Sequence, residues 1–443
     1  MQEILIIGAG RSASSLIRYL LNKATQNNYR IVVSDMSLEL AQSKVGNHPN
    51  GKAIALDINN AAQREKAIAS ADMVISMLPA FMHSEVAKDC LRLNKHMTTA
   101  SYVSAEMQAL NEDAKKKGLL FLNEIGLDPG IDHMSAMEII HQIKEKGGKI
   151  ESFKSYCGGL IAPESNDNPW GYKFTWNPRN VVLAGQATAQ YREEGKLKFI
   201  PYQGLFTQTE MIEVDGYGKF EAYANRDSLS YDEPYEIKGI PTILRGTLRY
   251  PGYCRAWSMF VKLGWTDDHF AIKEADKLSY SDLLESFLPK GQGNLKTRLA
   301  QFMGWNEDDA DLKRIEYLGI FDSVKIQLKE GSPAQLLQHL LESKWVLKEQ
   351  DLDMIVMQHQ FVYSLNNKKY KIISSLVSKG ENQRYTAMAN TVGLPLGIAV
   401  NQFLQGNIKA SGVCIPVSKE IYEPVLKELK EYGIVFEEKE IEV

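Results

Sequence analysis

Cysteine is scarce in this 443-residue chain: there are four, Cys90, Cys157, Cys254 and Cys414, far apart in sequence. Such spacing shows no zinc pattern, and a disulfide framework is not expected, since free thiols are the default in a reducing cytosol. The eight histidines are equally scattered, so no metal site is expected. No apolar run reaches the roughly 18 residues that a membrane-spanning helix needs. Charge of one sign is not in excess either, since 51 basic against 55 acidic side chains give a net charge of −4. That removes any global attraction to nucleic acid or to an anionic membrane. Strand-like sequence begins by residue 4, so neither a signal nor a transit peptide is expected and the location is read as cytoplasmic. Internal repeats and low-complexity segments are missing as well. What is present is 44% hydrophobic and 24% charged, the composition of a globular enzyme, at a length that calls for two or three domains.

The informative stretch comes first. Ile4-Leu5-Ile6-Ile7 stops at Gly8, and a helical pattern (Leu16, Ile17, Leu20, Leu21) starts almost at once. The joint reads G-x-G-x-x-A. Gly8 permits the sharp turn, Gly10 lets backbone approach a pyrophosphate, and Ala13 lets the helix sit close on the strand. A second apolar run, Ile31-Val32-Val33-Ser34, ends at Asp35, twenty-five residues after Gly10. An acid about 20 residues beyond this fingerprint usually holds the adenosine ribose 2′-hydroxyl and repels a 2′-phosphate. The expected cofactor is therefore NAD rather than NADP. The plain alternative is that Asp35 only caps the helix that follows.

Strand and helix patterns alternate up to about residue 125. The runs Ala53–Leu56, Met73–Leu78, Met97–Ala100 and Leu119–Leu122 are near-continuously apolar, as strands buried on both faces are. Ligands bind at the carboxyl ends of such strands. That rule gathers Ser12, Asp35, the Ser76–Pro79 turn, Ala100–Val103 and Glu124–Asp128 into one rim. The expected fold is α/β: a doubly wound parallel Rossmann domain, a second α/β domain with a mixed sheet, and a small helical subdomain. The expected boundaries are 1–128 for the dinucleotide domain, completed by 388–443; 129–264 with 351–387 for substrate binding and dimerisation; and 265–350 for the helices. Ala162–Asn180 has little periodicity, but Trp170, Tyr172, Phe174 and Trp176 argue that it is ordered. Leu352–Ser364 and Tyr370–Ser378 flank Asn366-Asn367 and predict a hairpin, with a loop longer than the tightest type.

Two constellations carry candidate chemistry. Between Ile237 and Trp265 stand Lys238, Arg245, Arg249, Arg255 and Lys262 with no acid, and Arg226 and Arg179 come shortly before. Embedded among Gly, Pro and aromatic residues, these arginines fit bidentate recognition of a polycarboxylate better than a solvated basic face. The other is Glu124–His133, which holds three carboxylates and a histidine directly after a strand. Asp128-Pro129-Gly130 is a turn and helix entry, and Asp128 can also bind an ammonium group or position water. His133 is read as more often structural than catalytic. Tyr102 is a candidate hydrogen-bond donor to substrate, and Cys157 a residue lining it.

Ala100-Ser101-Tyr102, Gly126-Leu127-Asp128-Pro129-Gly130-Ile131-Asp132-His133 and Ser155-Tyr156-Cys157-Gly158-Gly159-Leu160 resemble the glutamate-forming saccharopine dehydrogenase family. So do Asn225-Arg226-Asp227, Leu244–Tyr250 and Thr391-Val392-Gly393-Leu394-Pro395, and the likeness spans essentially the whole chain. The resemblance implies oxidation of saccharopine to glutamate and 2-aminoadipate 6-semialdehyde in lysine metabolism, or the reverse, with a homodimer expected. To the fingerprint's own cofactor contacts, Gly8, Gly10, Arg11 and Ala13, it adds Ser12, Asp35, Glu39, Met77, Leu78, Ala100, Ser101 and Val103. Substrate contacts are implied for Ser101, Tyr102, Asp128, Cys157, Gly158, Arg226, Thr247, Leu248 and Arg249, with Asp128 and Tyr102 as catalytic candidates. The rival readings are a related imine-reducing enzyme of the carboxynorspermidine or homospermidine type, whose polyamine substrate favours an acidic pocket, and a non-catalytic NAD-binding regulator on the same fold.

Overall fold

The computed structural model describes residues 1–184 and 186–443, which divide into two compact units: Met1–Ile150 with Tyr363–Val443, and Glu151–Val362.

The first unit is built on a seven-stranded parallel sheet. Its strands are β1 (Gln2–Ile7), β2 (Tyr29–Asp35), β3 (Gly51–Ala55), β4 (Met73–Ser76), β5 (His96–Thr98), β6 (Leu120–Leu122) and the late strand Gly412–Cys414. From edge to edge the order is Gly412–Cys414, β6, β5, β4, β1, β2, β3. The reversal point therefore lies between β1 and β4, where a dinucleotide crosses such a sheet. On one face Leu5, Ile7, Val32, Val74, Met97 and Phe121 pack into a single core. Ile4, Ile6, Ile31, Val33, Met73 and Ile75 are buried as well. Both faces being covered explains why these strands read as unbroken apolar runs.

Helix α1 (Ala13–Ala24) follows the fingerprint and is backed by the helix Ala387–Leu404. Glycines spaced four apart let the two axes approach. A Cβ on Gly393 would lie 2.7 Å from the Leu16 nitrogen, and one on Gly397 would lie 2.8 Å from the Tyr19 ring. Ser15 donates to Asn390 at 2.5 Å inside this contact. Elsewhere in this unit Asn366 and Asn367, at φ of 51° and 63°, turn the chain directly into the strand Lys368–Lys379. The turn is thus the two-residue type, tighter than expected, because two consecutive asparagines tolerate left-handed backbone.

The second unit carries the mixed sheet. Its strands are β7 (Lys149–Ile161), β8 (Ala189–Glu193), β9 (Lys196–Ile200), β10 (Thr209–Val214), β11 (Gly218–Ala224) and β12 (Thr242–Arg249), followed late in sequence by Asp353–Leu365. β12 runs parallel to β7 and antiparallel to β11, which pairs antiparallel with β10. The aperiodic segment is ordered, as its aromatics suggested. Trp170, Tyr172 and Phe174 sit in one apolar core with Trp257, Trp265 and Trp345, and residues from the 280–341 helices join that same core. Among the described residues no helix is long and apolar enough to cross a membrane.

Candidate active site

In the first unit the carboxyl ends of β1, β2, β4, β5 and β6 bring the fingerprint, Asp35, Met77-Leu78, Ala100–Val103 and Asp128 to one end of the sheet. Gly8 has φ +103°, and a Cβ there would lie 2.9 Å from the Met77 carbonyl oxygen, so the turn after β1 closes on the turn after β4 only because glycine stands there. Above Gly10 the space is open, with nothing within 4 Å of an added Cβ. Helix α1 starts without a side-chain cap and has no acid in its first turn. The Ala13 and Ser14 amides donate to the Gly10 and Arg11 carbonyls at 3.2 and 3.4 Å, but the positive end of the helix dipole meets no acid of its own, and with the open space over Gly10 the site fits the pyrophosphate of a dinucleotide.

Asp35 stands at the end of β2, beside the fingerprint. One carboxylate oxygen accepts from the Ala9 amide at 2.9 Å and the other from the Ser37 amide at 3.0 Å. One oxygen ties the fingerprint loop to the end of β2, and the other closes the turn into the next helix. Glu39 is exposed in the first turn of the helix Leu38–Val45.

Ala100–Val103 is held from behind. Glu124 adopts φ +57°. Its amide donates to the Ser101 carbonyl at 3.1 Å, and its side chain accepts from the Val103 amide at 3.0 Å. Its second carboxylate oxygen lies 2.8 Å from Nε2 of the fully buried His133. His133 therefore braces Glu124 rather than standing at the surface. Asp132 accepts from the Gly130 amide at 2.6 Å. A Cβ on Gly130 would overlap the Gly126 backbone at about 2.1 Å, so Gly126–Gly130 forms a tight turn that presents the half-buried Asp128. Tyr102 is 38% exposed at this end. Sequence reasoning missed His83, whose ring sits between the ends of β4 and β5. Burial alone pushes its pKa down to about 4.

In the second unit the expected substrate residues gather on three adjacent strands. Cys157 on β7 is the register partner of Thr247 on β12, and Thr247 in turn faces Tyr223 on β11. A Cβ on Gly158 would come within 2.7 Å of the Leu248 carbonyl oxygen. Arg226 follows the end of β11, at φ +47°. Arg249 ends β12 with its guanidinium 5.2, 5.9 and 5.3 Å from the ring centres of Tyr172, Tyr223 and Tyr253. It is 4% exposed, its Nη1 donates to the Leu248 carbonyl, and its Nε–H has no partner. Among the described residues no carboxylate pairs with it. A buried cation in an aromatic box with an unused donor is a receptor for an anion. Three other basic residues of that stretch are committed elsewhere. Arg255 pairs with Asp309 and Asp311, Arg179 with Asp268, and Lys262 donates to the Phe302 carbonyl.

Residues 4–122 match the family model described as "Saccharopine dehydrogenase NADP binding domain", and residues 126–434 match "Saccharopine dehydrogenase C-terminal domain". The chain belongs to the saccharopine dehydrogenase family. The family member named saccharopine dehydrogenase [NADP(+), L-glutamate-forming] from Schizosaccharomyces pombe is 37% identical, with 100% of both chains covered. Its Saccharomyces cerevisiae namesake is 35% identical over 99% of each. A solved apo saccharopine dehydrogenase (L-Glu forming) from S. cerevisiae superposes with a TM-score of 0.90 at 34% identity, covering 100% of each chain. The mouse alpha-aminoadipic semialdehyde synthase is 36% identical over 98% of this chain, which spans 47% of that protein. These names correct one expectation. The reading of NAD from Asp35 is overturned, because the matching model and both yeast relatives are named for NADP. The spacing located an acid at the end of β2, where its oxygens accept from the Ala9 and Ser37 amides, but an acid at that place does not by itself fix the cofactor.

Proposed function

We propose that this chain is a glutamate-forming saccharopine dehydrogenase that uses NADP and acts in lysine metabolism. The observation that carries the reading is the end-to-end match, at 37% identity, to a relative of that name. In this reading the Gly8–Ala13 loop and the start of α1 hold the pyrophosphate, while Met77, Leu78, Ala100, Ser101 and Val103 line the rest of the dinucleotide. When bound, NADP supplies the hydride acceptor, and the organic step belongs to it.

The chain's own residues bind, orient and manage a proton. Saccharopine carries three carboxylates, an amino group and a secondary amine. Arg249 takes one carboxylate, with its donors free of internal acids, and Arg226, Thr247 and Leu248 complete that subsite beside Cys157 and Gly158. Ser101, Tyr102 and Asp128 order the amine and the water that later hydrolyses the imine. Holding the reacting carbon in one place accounts for much of the rate.

The test is direct. Purified protein with saccharopine and NADP is followed at 340 nm, with an aldehyde, a polyamine and NADPH as the competing polyamine pair. Saccharopine-dependent reduction of NADP is expected, and turnover of the polyamine pair alone would refute the assignment.

A further inference from the structure

The turn after β4 and the turn after β5 are joined by one imidazole. His83 opens the helix His83–Arg92 and is 5% exposed. Its Nδ1 lies 2.8 Å from the Ser76 hydroxyl oxygen at the end of β4, and its Nε2 lies 2.8 Å from the Ser101 hydroxyl oxygen beyond β5. Thr99 Oγ1 stands 3.4 Å from the same Nε2 and accepts from the Ser101 amide at 3.3 Å. Ser76 is fully buried, and among the described residues His83 is its hydroxyl's sole partner.

A neutral imidazole has one N–H and one lone pair, on opposite nitrogens. When the Ser76 hydroxyl donates to Nδ1, Nε2–H donates to Ser101, whose own proton then points toward a ligand. When Nδ1–H donates to Ser76, Nε2 accepts from Ser101, which then offers only lone pairs. Burial keeps the ring neutral, with a pKa near about 4, so the three groups act as one unit across the neutral range. We propose that His83 is a positioning residue that sets the place and the donor–acceptor sense of the Ser101 hydroxyl toward bound dinucleotide and substrate. This rests on the reading above of Ser101 as a ligand contact.

The test compares His83→Asn, His83→Gln, Ser101→Ala and the double variant His83→Asn/Ser101→Ala. The asparagine amide occupies the place of Nδ1 and keeps the Ser76 bond, whereas the glutamine amide reaches the place of Nε2 and keeps the Ser101 bond. Steady-state turnover with saccharopine and NADP is measured beside far-ultraviolet circular dichroism, which checks folding. His83→Asn is expected to lower kcat about tenfold, the worth of one ordinary hydrogen bond, and His83→Gln less than about threefold. The double variant should lose no more than Ser101→Ala alone, because both act through one hydroxyl. Equal losses in the Asn and Gln variants, or losses that multiply in the double variant, would overturn the proposal. Fluorescence titration with NADPH gives a second arm that needs no saccharopine. There His83→Asn and Ser101→Ala should raise Kd by the same factor, with no further rise in the double variant. Wild-type protein that ignores saccharopine while keeping this binding pattern refutes only the assigned substrate. Loss of the pattern refutes the role of His83.

Discussion

His83 also makes one calculable contribution to the acid stability of the protein. Its pKa falls from 6.5 to about 4 on folding, because burial penalises the charged ring. The sign follows from linkage. Below about pH 6.5 the unfolded chain takes up a proton that the folded chain refuses, so stability is fully present above that value and is lost as the pH falls toward about 4. Integrated for this one group between about pH 8 and about pH 5, the loss is roughly 2 kcal/mol. Replacing His83 by glutamine removes the titration and leaves every other group in place. Urea unfolding of both proteins, at several values across that range, is followed by far-ultraviolet circular dichroism and by tryptophan emission. Both probes are needed, because all six tryptophans lie between residues 170 and 345 and report the second unit. The wild type should lose about 2 kcal/mol more than His83→Gln on acidification. Parallel curves, within about 0.5 kcal/mol of each other, would show that the ring protonates in the folded state and would refute the burial argument.

Two further outcomes follow from packing and charge. Gly393→Ala puts a methyl group 2.7 Å from the Leu16 nitrogen, so the tail helix must shift off α1, at a cost of about 1–3 kcal/mol. A lower melting temperature with weaker NADPH binding is expected, and an unchanged melting temperature would show that the helices have slack. Arg249→Met keeps the volume of the side chain's stem but removes the buried cation, and is expected to raise the saccharopine KM at least about tenfold. An unaltered KM would exclude Arg249 from carboxylate binding, and an NADPH Kd within about twofold of wild type is the control.

What the sequence disclosed was mostly local. β1 and α1 followed from an apolar run, two glycines and a small residue. The order of apolar runs gave a doubly wound sheet, since strands buried on both faces leave no polar alternation to misread. The aromatics at 170–174 argued that an aperiodic stretch was anchored, and they are core residues. Features that depend on distant partners stayed hidden. Arg255 and Arg179 looked like members of one basic cluster because their acids lie 54 and 89 residues away. The His83 ring meets Ser76 and Ser101 only because β4 and β5 are neighbours in the sheet. Asp35 was placed correctly at the end of β2, but no spacing rule shows which groups a carboxylate will accept from. The hairpin turn was overestimated because the flanking strands together run three residues further into it than their apolar pattern suggested.

The first unit is written in two pieces, with the whole of Glu151–Val362 between them. During synthesis its opening half leaves the ribosome more than two hundred residues before the helix that covers Leu16 and Tyr19 exists. At about 5–20 residues per second, that face waits at least ten seconds for its cover. Nascent chains cut short before Ala387 should therefore be sticky and slow to mature, however well their middle portion has folded.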